Sequence, residues 1–478
     1  MSDVAFRTEE WLDAAALARL ERRVERGLKQ ARSSGSASLL SVTSRCEAAD
    51  DPTAIAVRSR RGEEPWFCFE QPDRRGSAIA ALGCLRALES DGPDRFTTIA
   101  RAWQELAGSA LADPPERAPG SGLVAVGGFA FAPTGSASRH WHGFPPASLI
   151  VPELSFAREA GATWLTVNAA LAADDTPEDV LDRVDRRLSE LRTGSLPLLD
   201  PSPAGAYEVA STMPPSHSEE AVARAVQRIR AGELEKVVLA REVEVHAPID
   251  HDPAAVLGVL RDAFPSCYVF AVGRGDATFL AASPELLVRR EGQRASTVAL
   301  AGSTRRSSDP AVDDHLGEQL LQSDKDREEN AIVARRIARA LRPHAVWVTA
   351  APEPALVKVA NIQHLGAAIR AQLAAPLGAV ELAGLLHPTP AVGGEPGELV
   401  ETLIPALEGL DRGWYAGPVG WTDSVGDGEF CVALRCALLR GRTARCYSGC
   451  GIVRDSDPAA ELAESEVKLQ ALLPLLAG

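Results

Sequence analysis

Two residues of this chain have the type and setting for acid–base chemistry. Glu285 follows Ser283-Pro284 at the lip of a strand, and Lys236 stands at the entrance of another, KVVLAREVEV. A lysine held against apolar neighbours has its ammonium form disfavoured and can serve as a base. A lysine at a strand end is also commonly just solvated. Around Glu285 the stretch 281–306 carries two short apolar runs, 286–288 and 298–300, on either side of a polar segment with Gly292. That spacing predicts a β-hairpin. Across its open end lies Ala301-Gly302-Ser303, a small-residue turn where a ligand can approach the backbone. An acid facing a glycine turn is a place for chemistry, or else a surface hairpin with a solvated glutamate.

A second group is acidic. Asp326 and Glu329 are three residues apart in SDKDREENAIVARRIARAL (323–341), so they share a helix face. Glu461 and Glu464 repeat the spacing in the final helix, with Lys468 one turn later, Asp457 as N-cap and Pro458 in the first turn. If the two pairs converge they form an oxygen site for a hard cation, and Mg²⁺ suits one or two carboxylates, waters and a substrate oxygen. Either pair alone is an ordinary acidic helix face. Arg435 lies in an apolar strand expected over 430–439, where a buried guanidinium calls for a partner such as a bidentate carboxylate. Gly449 and Gly451 in CYSGCGIV form an expected glycine loop whose amides could approach an anion. His364 precedes a glycine in IQHLG, and a lone histidine is more often structural. LHPTPAVGGEP (386–396) is a rigid loop.

The elements that position these residues follow from periodicity. Helices are expected at 9–32, 77–88, 95–106 and 177–191, and strands at 38–42, 54–58, 66–69, 123–131, 148–153 and 163–167, with a loop at 113–122. The first half offers no catalytic constellation. A Pro- and Ser-rich stretch, 193–218, is the best internal boundary. Beyond it Ser216 and Glu219 have capping-box spacing, Val222, Val226 and Ile229 form an apolar stripe, and Gly232 closes the helix.

Composition narrows the class. The chain has 478 residues, 45% hydrophobic and 24% charged, as in ordinary globular proteins. Its 65 acids against 50 bases, a net charge of -15, argue against nucleic acid or an anionic membrane as main partner. The start MSDVAFRTEEWLD has acids where a signal peptide needs a basic segment. No apolar window is long enough for a membrane span. Eight cysteines without a CxxC pair read as reduced cytosolic thiols, so a cytoplasmic protein is expected.

Taken in order, KVVLARE, ASPELLVRR, LAGSTRR, SDKDREEN, IQHL, LHPTPAVGG, WYAGPVGW, VALRCALL, SGCGIV and the final ExxExxxK make the chain similar to the chorismate-utilising enzymes, most of all isochorismate synthases. The likeness is strong over about 206–474 and loose before it, through GGFAF and GFPPASLIVPE. It implies an α/β (α+β) fold in which two interwoven halves build one large layered β-sandwich flanked by helices. Residues 1–205 would be a divergent structural half and 206–478 the chorismate-binding catalytic region.

The resemblance also implies roles. Lys236 would activate water for attack at C2 of chorismate, and Glu285 would protonate the departing C4 hydroxyl. Glu329 and Glu464 would hold Mg²⁺, with Asp326 and Glu461 orienting its waters. Gly302, Ser303, His364, Ala391, Tyr415, Arg435, Gly449 and Lys468 fall where the family contacts the substrate. Asn330 stands where many members have His, which would touch the surroundings of the metal, and SGCG replaces the commoner AGAG. Salicylate synthases share the same acid, base and metal residues and then eliminate pyruvate. Anthranilate and aminodeoxychorismate synthases use ammonia from a glutaminase partner, and anthranilate synthases usually have Gln at the position of Lys236. An inactive chorismate-binding protein would have no need of the acid–base pair. The loop 388–394 favours isochorismate as product, without an obligatory glutaminase subunit and in the service of either menaquinone or siderophore synthesis.

Overall fold

A computed structural model describes residues 10–115, 118–200 and 205–478. Residue 9 of the first expected helix, residues 116 and 117 of the expected loop and residues 201–204 of the expected boundary fall outside them. Strands that alternate their side chains between two faces assemble into two large, almost wholly antiparallel sheets. Phe67, Phe69 and Ile79 of the first sheet share a core with Val126, Phe129, Leu149 and Leu287 of the second, so the sheets form a sandwich. Leu20, Val24 and Leu28 of the helix Ala14–Ser34 cover the outer face of the first sheet over Leu40, Val42 and Val167. Helices Arg95–Ser109 and Ala379–Leu386 cover the second, where Phe96 stacks on Phe129. This is the layered α/β sandwich expected from the sequence.

Both sheets run across position 205. In the first, Trp66–Gln71 pairs with Tyr268–Arg274, Phe69 opposite Phe270. In the second, Val124–Phe129 pairs with Pro418–Asp423, Gly127 opposite Gly420. The two halves are interwoven strand by strand.

Several expected elements differ. Residues 54–58 lie in a helix, Pro52–Ser59, because Asp51 caps it by accepting from the Ala54 amide and Pro52 fits its first turn. Residues 77–88 are not helical: Ser77–Leu82 joins the first sheet and Arg86–Ser90 the second, with Gly83 at φ 74° between them. The apolar run 430–439 is two strands, Gly428–Val432 in the second sheet and Cys436–Arg440 in the first. Ser216 does not cap its helix, which starts one residue earlier at Pro215. All eight cysteines are free, and no helix among the described residues is long and apolar enough to cross a membrane.

Candidate active site

The hairpin around Glu285 forms as expected. Leu286–Glu291 and Arg294–Arg305 pair in antiparallel register, with Gly292 in the turn. The Glu285 backbone is pinned because Ser283 Oγ accepts from its amide at 3.2 Å and its carbonyl accepts from Val432 N at 3.0 Å. Its carboxyl points into a cleft and is 4% exposed, not solvated. Burial pushes that carboxyl up to about 8, against the pull of Lys236, Lys468 and Arg435. A carboxyl in that range holds its proton at neutral pH and can donate it.

Lys236 is not a solvated strand end. It is fully buried behind the cleft wall, its Nζ 2.9 Å from Glu329 Oε1. Gly449 and Gly451 belong to a strand, Thr443–Ile452, paired with Lys236–His246, and not to a loop. They serve by leaving room. A Cβ on Gly451 would lie 2.1 Å from Glu329 Oε1 and 3.0 Å from Lys236 Cε, and one on Gly449 would lie 2.6 Å from Tyr415 Oη.

The two acidic helices do converge. Asp326 and Glu329 lie on Asp324–Leu341, and Glu461, Glu464 and Lys468 on Pro458–Leu469. Asp326 is raised by burial and then by Glu329 and Glu464, and Glu461 by burial and then by Glu464, so the carboxylates feel one another across the two helices. Each has a local partner. Lys325 Nζ is 2.9 Å from Glu461 Oε1. Lys468 Nζ is 2.7 Å and Ser303 Oγ 2.8 Å from Glu464 Oε1. Ser323 donates to Asp326. Burial pushes Glu464 up, but Lys468 and Ser303 draw it down to about 2. Among the described residues, the Cys450 thiol, Glu461 and Glu464 bring possible ligand atoms within 4.8 Å of one another, and Glu329 and Asp326 fall outside that group. Glu329 and Glu464 line the cleft, whereas Asp326 stands behind Gly302 and Glu461 borders a second, smaller cavity. The carboxylate oxygens suit a hard cation such as Mg²⁺, whereas the Cys450 thiol does not.

In the same cleft, Arg435 sits where the chain passes from one sheet to the other, at φ 50°. It is buried, and its contact is not a carboxylate: Nη2 donates to His364 Nε2 at 3.2 Å. Gly302, Ser303, Ala391, Tyr415 and Lys468 complete the wall. Asn330 does not face the acids; its amide donates to the carbonyls of Ala299 and Leu365, both at 2.9 Å, and ties the helix to two strands. Sequence reasoning passed over three contributors. Lys325 is visible as the base inside SDKDREEN, and Cys450 as the unusual residue of SGCG. Tyr447, stacked 5.3 Å from Tyr415, gave no signal beyond an aromatic in a strand.

Known proteins resemble this chain along nearly its whole length. A family model described as chorismate binding enzyme matches residues 26–477. The salicylate biosynthesis isochorismate synthase of Pseudomonas aeruginosa is 38% identical over 435 residues, 90% of this chain and 88% of that protein. The isochorismate synthase MenF of Bacillus subtilis is 31% identical over 458 residues, 94% and 96% of the two chains. The solved structure of MenF, the menaquinone-specific isochorismate synthase of Escherichia coli, superposes with a TM-score of 0.77 at 27% identity, covering 96% of this chain and all of that one.

Proposed function

Because this chain belongs to the chorismate-binding enzyme family, we propose that it is an isochorismate synthase, an isomerase that adds water at C2 of chorismate and expels the C4 hydroxyl. The observation that carries this reading is the Glu285 carboxyl, buried in the cleft and pushed up to about 8, a proton donor poised for a leaving hydroxyl. Lys236 takes a proton from water as the oxygen bonds to C2. The ring double bond shifts, the C4–O bond breaks, and Glu285 gives its proton to the departing oxygen. One water enters and one leaves, and proton return from Lys236 to Glu285 restores both groups. Arg435 supplies the charge for a substrate carboxylate. Glu329 and Glu464 would hold Mg²⁺, with Asp326 and Glu461 orienting its waters; when bound, the ion offsets negative charge beside the substrate carboxylate.

Water suffices as nucleophile, so no glutaminase subunit is needed. The test is incubation with chorismate and Mg²⁺, with and without an ammonium salt, followed by chromatography. Isochorismate should accumulate in both. Salicylate with equimolar pyruvate would make the chain a salicylate synthase, and an aminated product would remove the water-adding reading.

A further inference from the structure

The arginine of the cleft is held by a device built from three strands. Between Arg294–Arg305 and Ile362–Leu373 the register runs to Ala301 opposite Leu365 and resumes at Ser303 opposite His364. Gly302, at φ 78°, is the extra residue of a bulge, and a side chain there would press on Asp326, 2.9 Å from its Cβ. His364 Nε2 faces Arg435 Nη2 at 3.2 Å. A guanidinium only donates, so Nε2 offers its lone pair and the hydrogen of the neutral ring is on Nδ1. The Gly302 backbone favours the same ring from the neighbouring strand. Burial, and then Arg435 and Lys468, hold the ring well below the usual histidine range, which keeps it neutral.

We infer that His364 is a positioning residue whose Nδ1–H tautomer presents the Nε2 lone pair to the Arg435 guanidinium and fixes it so that its remaining N–H groups face the cleft. The inference rests on the reading that the cleft binds chorismate, and it gives His364 a task other than touching the substrate. Arg435 has no carboxylate partner among the described residues and occupies a backbone conformation at the crossover between sheets that few side chains adopt. Its aim therefore depends on the one side chain that accepts from it.

Calorimetric binding of chorismate, measured apart from turnover, tests this in wild type, His364→Leu, His364→Gln, Arg435→Ala and the double variant His364→Leu/Arg435→Ala. Leu should weaken binding about tenfold, close to the loss of one charge-assisted hydrogen bond. Gln, whose carbonyl reaches near the Nε2 position, should recover most of that loss. In the Arg435→Ala background the Leu substitution should add less than about twofold, since residues acting as one unit are non-additive. Equal weakening by Leu in both backgrounds, or Gln no better than Leu, would overturn the inference and make His364 a direct contact or a packing residue. Should a variant fail to fold, nitrogen NMR of labelled wild-type histidines decides: a neutral His364 with its hydrogen on Nδ1 supports the device, and one with its hydrogen on Nε2 refutes it. Wild type that binds no chorismate would bring down the functional reading and this inference together.

Discussion

The two charged ends of the cleft follow opposite plans. At the helix end every acid is answered: Glu329 by Lys236, Glu461 by Lys325, Glu464 by Lys468 and Asp326 by Ser323. At the strand end the hydrogen-bond partner of Arg435 among the described residues is a neutral imidazole. A buried cation without a directly bonded counter-charge is costly to the folded state, and an incoming carboxylate relieves that cost. At the helix end three of the four acids face a lysine, so a divalent ion would have to compete there with lysines for its carboxylates. On the proposed function, the substrate carboxylate would go to Arg435 and a divalent ion to the acids of the two helices.

Removing the metal should have the largest effect. EDTA is expected to abolish turnover and Mg²⁺ to restore it, whereas Glu329→Ala or Glu464→Ala should resist rescue; full activity in EDTA would reduce the helix end to lysine-paired acids. Next comes the acid–base pair, which spans both ends. Glu285→Gln and Lys236→Ala should each lower kcat by at least about a hundredfold, and near-normal turnover in either would remove the assignment. Because Lys236 is fully buried against Glu329, its loss strands a carboxylate, so circular dichroism should accompany the kinetics and Lys236→Gln should serve as the milder variant.

The comparison itself is sharpened by Arg435→Ala against Lys325→Ala. The first should raise KM by about thirtyfold or more, the scale of losing a buried partner of a carboxylate. The second, which touches Glu461 and not the cleft wall, should change KM less than about threefold; equal effects would erase the distinction between the ends. A smaller effect is expected with pH. On the proposed role Glu285 acts in its protonated form, and it sits at about 8, so kcat/KM should fall about tenfold per unit above that value. A flat profile from pH 7 to 10 would contradict this.

The same group links pH to stability. Its folded value lies above the ordinary 4.5, so the folded state binds the extra proton. The stability it contributes is full below about 4.5 and is lost as pH rises to about 8. Glu285→Gln should therefore melt a few degrees above wild type at pH 8 and level with it near pH 4.5; a gap independent of pH would point to packing alone.

Much of the site was legible because its residues are local. Glu285 against Gly302, and the three-residue spacings of Asp326 with Glu329 and Glu461 with Glu464, need only a hairpin and two helices. What spacing could not show was depth. Lys236 reads as a strand end, yet its ion pair is with a helix far along the chain, and only tertiary packing buries it. Arg435 was expected within one strand because apolar periodicity does not register a change of sheet. The helix expected at 77–88 failed for a similar reason: alanines and leucines at helical spacing were serving two strands of different sheets. At 54–58 a β-like run lost to its own start signals, Asp51 and Pro52.

The strand-by-strand weaving of the halves has a consequence for the birth of the molecule. Trp66–Gln71 leaves the ribosome roughly two hundred residues before its partner Tyr268–Arg274, and Val124–Phe129 roughly three hundred before Pro418–Asp423. At about 5–20 residues per second, those nascent edges wait about ten seconds to a minute with unpaired amides and apolar faces. The sandwich cannot close until synthesis is nearly complete. Protection of the early strands, by chaperones or by transient local structure, is thus a condition of yield, and fragments ending near residue 205 should aggregate where the full chain stays dispersed.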